Sequence, residues 1–272
     1  ARGDSDRDGK SAAVPAMSAE RDICRPVGWT SDELGMPSEG RAVLDGMALS
    51  EDVADAAQEA QRWFASQSWY RERRIPWRRG WLLHGRPGTG KTTFVCGIAQ
   101  ALGIPVYSFD IASMSNQEFA QHWQQALSNS PAMVLIEDVD AVFHGRENVL
   151  DKMGGGLSFD SLLNTIGGIE NTDGILLVVT TNNVDKIDPA LGIPRDGVSS
   201  RPGRLDRIIE LKEPGREGRL KIARRILAGM DEEVIEQVVD AGGKDTGAQF
   251  QERCSTIALQ HYWATRDEKA IA

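Results

Sequence analysis

Residues Trp81 to Thr93 read WLLHGRPGTGKTT, a short apolar run that ends at His84 and breaks into a glycine-rich turn. From Gly85 to Thr92 the turn fits G-x-x-x-x-G-K-[ST] at every fixed position. Glycines let successive backbone N–H groups turn inward around a phosphate chain, where a Cβ would obstruct them. Lys91 brings a point charge to the β- and γ-phosphates, and the Thr92 hydroxyl is suited to ligate Mg²⁺. An amphipathic stretch from Lys91 to Leu102 follows, so a helix would aim its positive end at the anion. Arg86, Pro87, Gly88, Thr89, Gly90, Lys91, Thr92 and Thr93 are thus candidate contacts for a nucleoside triphosphate and its metal. The bland alternative is a chance glycine-rich turn, and the strand–loop–helix context argues against it.

Three further groups could complete such a site. Met133 to Ile136 is an apolar strand that ends in Glu137-Asp138, with Asp140 two residues on. Paired carboxylates at a strand tip beside a phosphate loop can divide two tasks, holding the metal's coordination sphere and orienting or deprotonating water. The run ILLVVTTN ends in Asn182, an amide able to meet a γ-phosphate or an attacking water. Its neighbour Asn183 reads equally as a turn residue. Arg201 and Arg204, in RPGRLD, bring guanidinium groups to the end of the sheet, where they could reach a neighbouring subunit's nucleotide. Surface ion pairs to Asp206 or Glu210 are the plain alternative.

Positioning these groups requires strands alternating with helices, and hence a parallel, doubly wound α/β sheet. The expected strands are Trp81–His84, Pro105–Asp110, Met133–Ile136, Ile175–Thr180 and Arg207–Leu211. Helices are expected over Lys91–Leu102, Ser115–Ser128 and Ser158–Ile166. An earlier helix should open at an N-cap Ser50 and run to about Gln67, with Val53, Ala56, Ala57, Ala60, Trp63 and Phe64 on one stripe. After Pro214 the strands stop, and Arg216–Leu227, Glu232–Val239 and Thr246–Thr265 read as a small helical subdomain. The divisions are a tail over 1–20, an irregular segment over 21–48, the α/β unit over 49–212 and helices over 213–272. The basic run Arg71 to Arg79 reads as a snorkelling face beside the core rather than a phosphate contact. Trp63, Trp69, Trp77 and Trp81 read as packing residues.

The whole-chain totals exclude several classes. With 272 residues, 26% charged and 40% apolar, this is an ordinary globular composition. A net charge of −9 argues against a surface built to hold nucleic acid. Cys24, Cys96 and Cys254 are odd in number and far apart, with no disulfide framework or zinc spacing, which suggests a reducing, cytoplasmic setting. No run approaches the about 20 apolar residues that span a bilayer. The chain opens on Ala1 rather than Met, which leaves room for an upstream membrane anchor.

Taken together, the motifs resemble those of AAA+ ATPases from about Leu44 to Ala264. The resemblance implies a nucleotide-binding fold of P-loop type, with a parallel five-stranded sheet sandwiched by helices and a C-terminal helical lid. It assigns ATP and Mg²⁺ as ligands, Gly85–Thr92 as Walker A, and Glu137-Asp138 as Walker B. Thr92 and Glu137 would serve the metal and Asp138 the water. Asn182 takes the place of sensor one, and Arg201 and Arg204 those of arginine fingers acting in trans. Gly247 and Ala248 fall at the start of the sensor-two helix, without the arginine some branches place there, and Asp45-Gly46 falls in the adenine-contacting segment. A narrower similarity, carried by WYRERRIPWRRGWLLHGRPGTGKTTF, LIEDVDAVF and LSFDSLLNTIGGIENTDGILLVVTTNNVDKIDPAL, is to the branch of mitochondrial Rieske-protein translocating chaperones and their bacterial relatives.

That resemblance implies a homo-oligomeric ring of about six or seven subunits acting on a protein partner. The alternative is a slowly hydrolysing, ATP-gated switch. Asp138 is one methylene shorter than the usual Glu. Ser113 to Phe119 lacks the aromatic–aliphatic–glycine threading loop, and Gly192 to Ser200 is inserted before the finger arginines. His144 to Gly156 reads as a long polar loop after Walker B.

Overall fold

In a computed structural model of the chain, the described residues are 43–151, 155–167, 172–192, 194–195, 198–199 and 204–271. The tail and most of the expected irregular N-terminal segment lie outside them. A five-stranded sheet organises the rest: β1 (Arg79–His84), β2 (Val106–Phe109), β3 (Ala132–Ile136), β4 (Ile175–Thr181) and β5 (Arg207–Glu210). Its order is β2-β3-β4-β1-β5, and every neighbouring pair is parallel. This is the expected fold.

Both faces of the central strands β3 and β4 are buried, which is why these two read as near-continuous apolar runs. Alternation sorts their side chains. Trp81, Leu83, Met133, Leu135, Leu176 and Val178 pack beneath α1 (Glu51–Ala65) and α3 (Lys91–Leu102). Leu82, Val134, Ile136, Leu177 and Val179 pack on the other face, with α4 (Asn116–Ser128) and α5 (Phe159–Ile166). A third core, with Ile222, Ala223, Ile235, Val239, Phe250 and Cys254, is formed by α6 (Arg216–Ile226), α7 (Glu232–Ala241) and α8 (Gly247–Ile271).

Several boundaries differ from the expected ones. β1 begins at Arg79, because Arg79 and Gly80 pair with Leu176 and Leu177 of β4. α1 stops at Ala65, and a separate short helix α2 covers Gln67–Glu72. Ser50 has extended N-cap backbone but its side chain makes no capping bond; Glu51 and Asp52 supply the favourable charge instead. α4 carries the stronger start, a capping box between Ser115 and Glu118. α8 continues to Ile271, past Thr265.

Trp77 stacks on Trp63 with centroids 5.0 Å apart, and its indole N–H donates to Trp63 O at 2.9 Å. Trp63, Trp77 and Trp81 are buried, whereas Trp69 is exposed beneath the Arg73 guanidinium. The basic run is partly structural, since Arg78 donates to Thr172 Oγ1 and Arg79 pairs with Asp206 and Glu59. Cys254 is a buried free thiol. Within the 192–200 insertion, Pro194–Arg195 and Val198–Ser199 pair as a minimal antiparallel ladder.

Candidate nucleotide site

The strand order brings the expected groups together. β4 lies between β1 and β3, so the segments leaving these three strands are neighbours at the carboxyl edge of the sheet, where open α/β sheets bind ligands. Registers His84↔Thr181 and Ile136↔Val179 bring the strand tips nearly level. A cavity of about 1080 Å³ opens there, between the sheet and helices α6 and α8.

Its floor is the glycine-rich loop. Gly88 has φ +82°, and a Cβ on it would come within 2.8 Å of Thr246 Oγ1. Gly90 has φ +97° and caps α3 in a left-handed conformation that favours glycine. Pro87, Gly88, Thr89, Gly90, Lys91, Thr92 and Thr93 all line the cavity.

Lys91 is 8% exposed. Its ammonium donates to Gly85 O at 2.8 Å, to Asn182 Oδ1 at 2.8 Å and to Arg86 O at 3.4 Å. Burial lowers its pKa, and the carboxylates of Asp138, Asp140 and Glu137 act against that shift. Asn182 then passes the contact on, with Nδ2 donating to Asp138 Oδ1 at 3.1 Å. Beside this chain, Thr92 Oγ1 donates to Glu137 Oε1 at 2.5 Å.

A hydroxyl and a carboxylate side by side are hard oxygen donors of the kind Mg²⁺ takes, with water and phosphate filling the remaining positions. Among the described residues no cluster of three or more His, Cys, Asp or Glu could hold a metal by itself. The donor set therefore fits an ion shared with a phosphate better than an all-protein cage.

The lid closes the other side. The N–H of Ala248 donates to Gly88 O at 2.9 Å, and Gly247 and Ala248 line the cavity as expected. Gly46 lines it too, but Asp45 is exposed and does not. The helical turn over 43–46 packs on α3, where a Cβ on Gly97 would meet Leu44 Cδ2 at 2.9 Å. That packing turns Gly46, Met47 and Ala48 toward the cavity.

Two other expected contacts need correction. Arg86 offers its carbonyl to Lys91, but its side chain turns outward to pair with Glu213 at 2.8 Å. Arg204 is 9% exposed and donates to Ala190 O at 3.1 Å. Its guanidinium lies where a Cβ on Gly167 would be 2.2 Å from Nε. Arg204 is thus turned into its own subunit rather than presented at the surface, and Asp206 pairs with Arg79 instead. Arg201 lies outside the described residues.

Sequence reading assigned no role to Lys221, Ile222 and Arg225, which line the cavity from α6. Their i, i+1, i+4 spacing puts a basic and apolar strip on one helix face, a pattern that alone reads as a solvated surface.

Residues 81–212 match the family described as "ATPase family associated with various cellular activities (AAA)". Human mitochondrial chaperone BCS1 is 32% identical over 205 residues, covering 73% of this chain and 44% of that protein. The zebrafish (Danio rerio) mitochondrial chaperone BCS1 is 34% identical over 209 residues, with the same coverages. The ATP-dependent zinc metalloprotease FtsH of Cutibacterium acnes is 30% identical over 209 residues, covering 72% of this chain and 27% of that protein. The chain therefore spans less than half the length of the curated chaperones it matches. No described helix is long and apolar enough to cross a membrane. By their family match, their sheet order and their phosphate-loop geometry, residues 81–212 form a domain of the AAA ATPase family.

Proposed function

We propose that the protein binds Mg·ATP in this cavity and hydrolyses it, as one member of a homo-oligomeric ring that remodels or moves a protein partner. The observation that carries the reading is the continuous line Lys91–Asn182–Asp138, with Thr92–Glu137 beside it. Lys91 and the loop amides would hold the phosphates. Thr92 and Glu137 would hold Mg²⁺, whose contribution is to neutralise charge on the transferring phosphoryl group. Asp138 would accept a proton from the attacking water or orient it, and Asn182 would contact the γ-phosphate. Arg201 is proposed as the finger completing the neighbouring site, with Arg204 anchoring the segment that carries it. The ring and its protein partner are suggested by the chaperone relatives.

The test is ATPase activity per subunit over a wide range of protein concentration, with Arg201→Ala and Asp138→Asn alongside. Activity should climb with concentration, collapse in Arg201→Ala, and be lost in Asp138→Asn. Flat activity indifferent to Arg201 would reject a shared site. A second reading, an ATP-gated switch that recruits a partner and turns over slowly, is favoured by the shortness of Asp138. Single-turnover kinetics separate the two, because a switch holds ATP intact for many minutes after binding.

A further inference from the structure

The tips of β3 and β4 exchange a pair of hydrogen bonds. Asp138 sits in the left-handed region, at φ 47° and ψ 49°, which is sparsely populated by residues other than glycine and persists only where surroundings enforce it. The enforcing contact comes from β4, where Thr180 Oγ1 accepts from the N–H of Asp138 at 3.0 Å. In return, Asp140 Oδ1 accepts from the N–H of Asn182 at 3.0 Å. Both acceptors are buried, Thr180 at 1% and Asp140 at 8% exposure.

The consequence lies in the Asn182 amide. An ammonium has no acceptor and a carboxylate has no donor. Asn182 must therefore turn Oδ1 to Lys91 and Nδ2 to Asp138, as it does. That bridge forms only if the Asn182 backbone stays at a fixed height above β4. We propose that Asp140 and Thr180 are positioning residues that lock Asn182 and Asp138 against each other, so that hydrolysis depends on them although nucleotide binding does not. The proposal rests on the reading of Asp138 and Asn182 given above. Asp140 does not line the cavity and acts through the backbone of Asn182; Thr180 does line it, with its hydroxyl oxygen engaged by the N–H of Asp138.

The test uses the full chain with Asp140→Ala, Asp140→Asn, Thr180→Val and Thr180→Ser. Each is assayed for kcat, KM, Kd for a fluorescent Mg·ATP analogue, and Tm. Asp140→Ala and Thr180→Val should lower kcat by about 10- to 100-fold, the cost of misplacing a reacting group by about 1 Å. Their Kd should stay within about threefold of the parent, since interactions made only in the transition state act on kcat. Asp140→Asn and Thr180→Ser keep an acceptor oxygen in place and should recover most of kcat.

Parental kcat in both Asp140→Ala and Thr180→Val would overturn the proposal. So would Asp140→Asn as slow as Asp140→Ala, because charge rather than position would then be at work. Thr180→Val is nearly isosteric and keeps the argument testable if Asp140→Ala fails to fold. Asp138→Asn is the control for the underlying reading. If it turns over at the parental rate, that reading fails on its own, independently of the positioning pair.

Discussion

Lys91→Met isolates what the buried ammonium contributes. The substitution keeps much of the side-chain volume but removes the donor to Gly85 O and Asn182 Oδ1, and the positive charge among Glu137, Asp138 and Asp140. Two effects on stability oppose each other. Burial disfavours the ammonium, so losing it relieves a desolvation cost, while the carboxylates lose their partner. Asp138 is exposed and Glu137 half-buried, so water takes up much of that loss. The ligand-free protein should lose only about 1 kcal/mol. Nucleotide binding should suffer far more, since a hydrogen bond to a charged group is worth about 1.5–3 kcal/mol, or about 10- to 150-fold in Kd. At ATP set to about 100 times the parental Kd, the parent gains about 2.7 kcal/mol; a hundredfold weaker variant gains about 0.4 kcal/mol. For a chain of this size, the ATP-induced rise in Tm then falls from about 5–10 °C to about 1 °C. Thermal melts with and without Mg·ATP read both effects at once. A variant with parental ATP-induced stabilisation would refute the placement of Lys91 on the phosphates.

Gly167→Ala should act through Arg204: the new Cβ would sit 2.2 Å from Nε, driving the guanidinium off Ala190 O. A loss of about 1–3 kcal/mol is expected, read as a lower urea midpoint with unchanged slope. Phe250→Ala empties the centre of the small lid core, where Phe250 is fully buried, and should cost about 3–5 kcal/mol. Far-UV melting should then show the lid loosening before the sheet, with weakened nucleotide binding. His84, at the end of β1, has its pKa lowered below 6.5, chiefly by burial. The fold favours its neutral form, so its contribution is present above about pH 6.5 and lost as pH falls through the lowered folded-state value. His84→Gln should therefore flatten the acid limb of a Tm-against-pH profile relative to the parent.

What the sequence made legible was what local rules decide. β3 and β4 announced themselves because both faces are buried and every position is apolar or Thr. The phosphate loop was legible because its glycines answer a backbone requirement independent of tertiary context. Side-chain destinations were less accessible. Arg79 reads as part of a basic run, yet its backbone opens β1 by pairing with Leu176, and its guanidinium is met by Asp206 and Glu59, distant in sequence. Arg204 reads as a twin of Arg201 until Gly167 is seen to leave room for its guanidinium. Asp140 reads as a spare carboxylate until β4 pairs with β3 and brings the N–H of Asn182 to it. In each case the deciding partner lies on another element, and only the strand order reveals it.

A motif does not assign the direction of the side chains at the end of the sheet. Two arginines three residues apart invite one role, but a guanidinium bonded to the Ala190 carbonyl of the same chain cannot reach another subunit's phosphate without first giving that bond up. If Arg204 anchors and Arg201 reaches, Arg204→Ala should lower stability and activity together, and Arg201→Ala should lower activity at unchanged Tm. Equal losses of activity at unchanged Tm in both variants would restore the paired-finger assignment and reject the anchor.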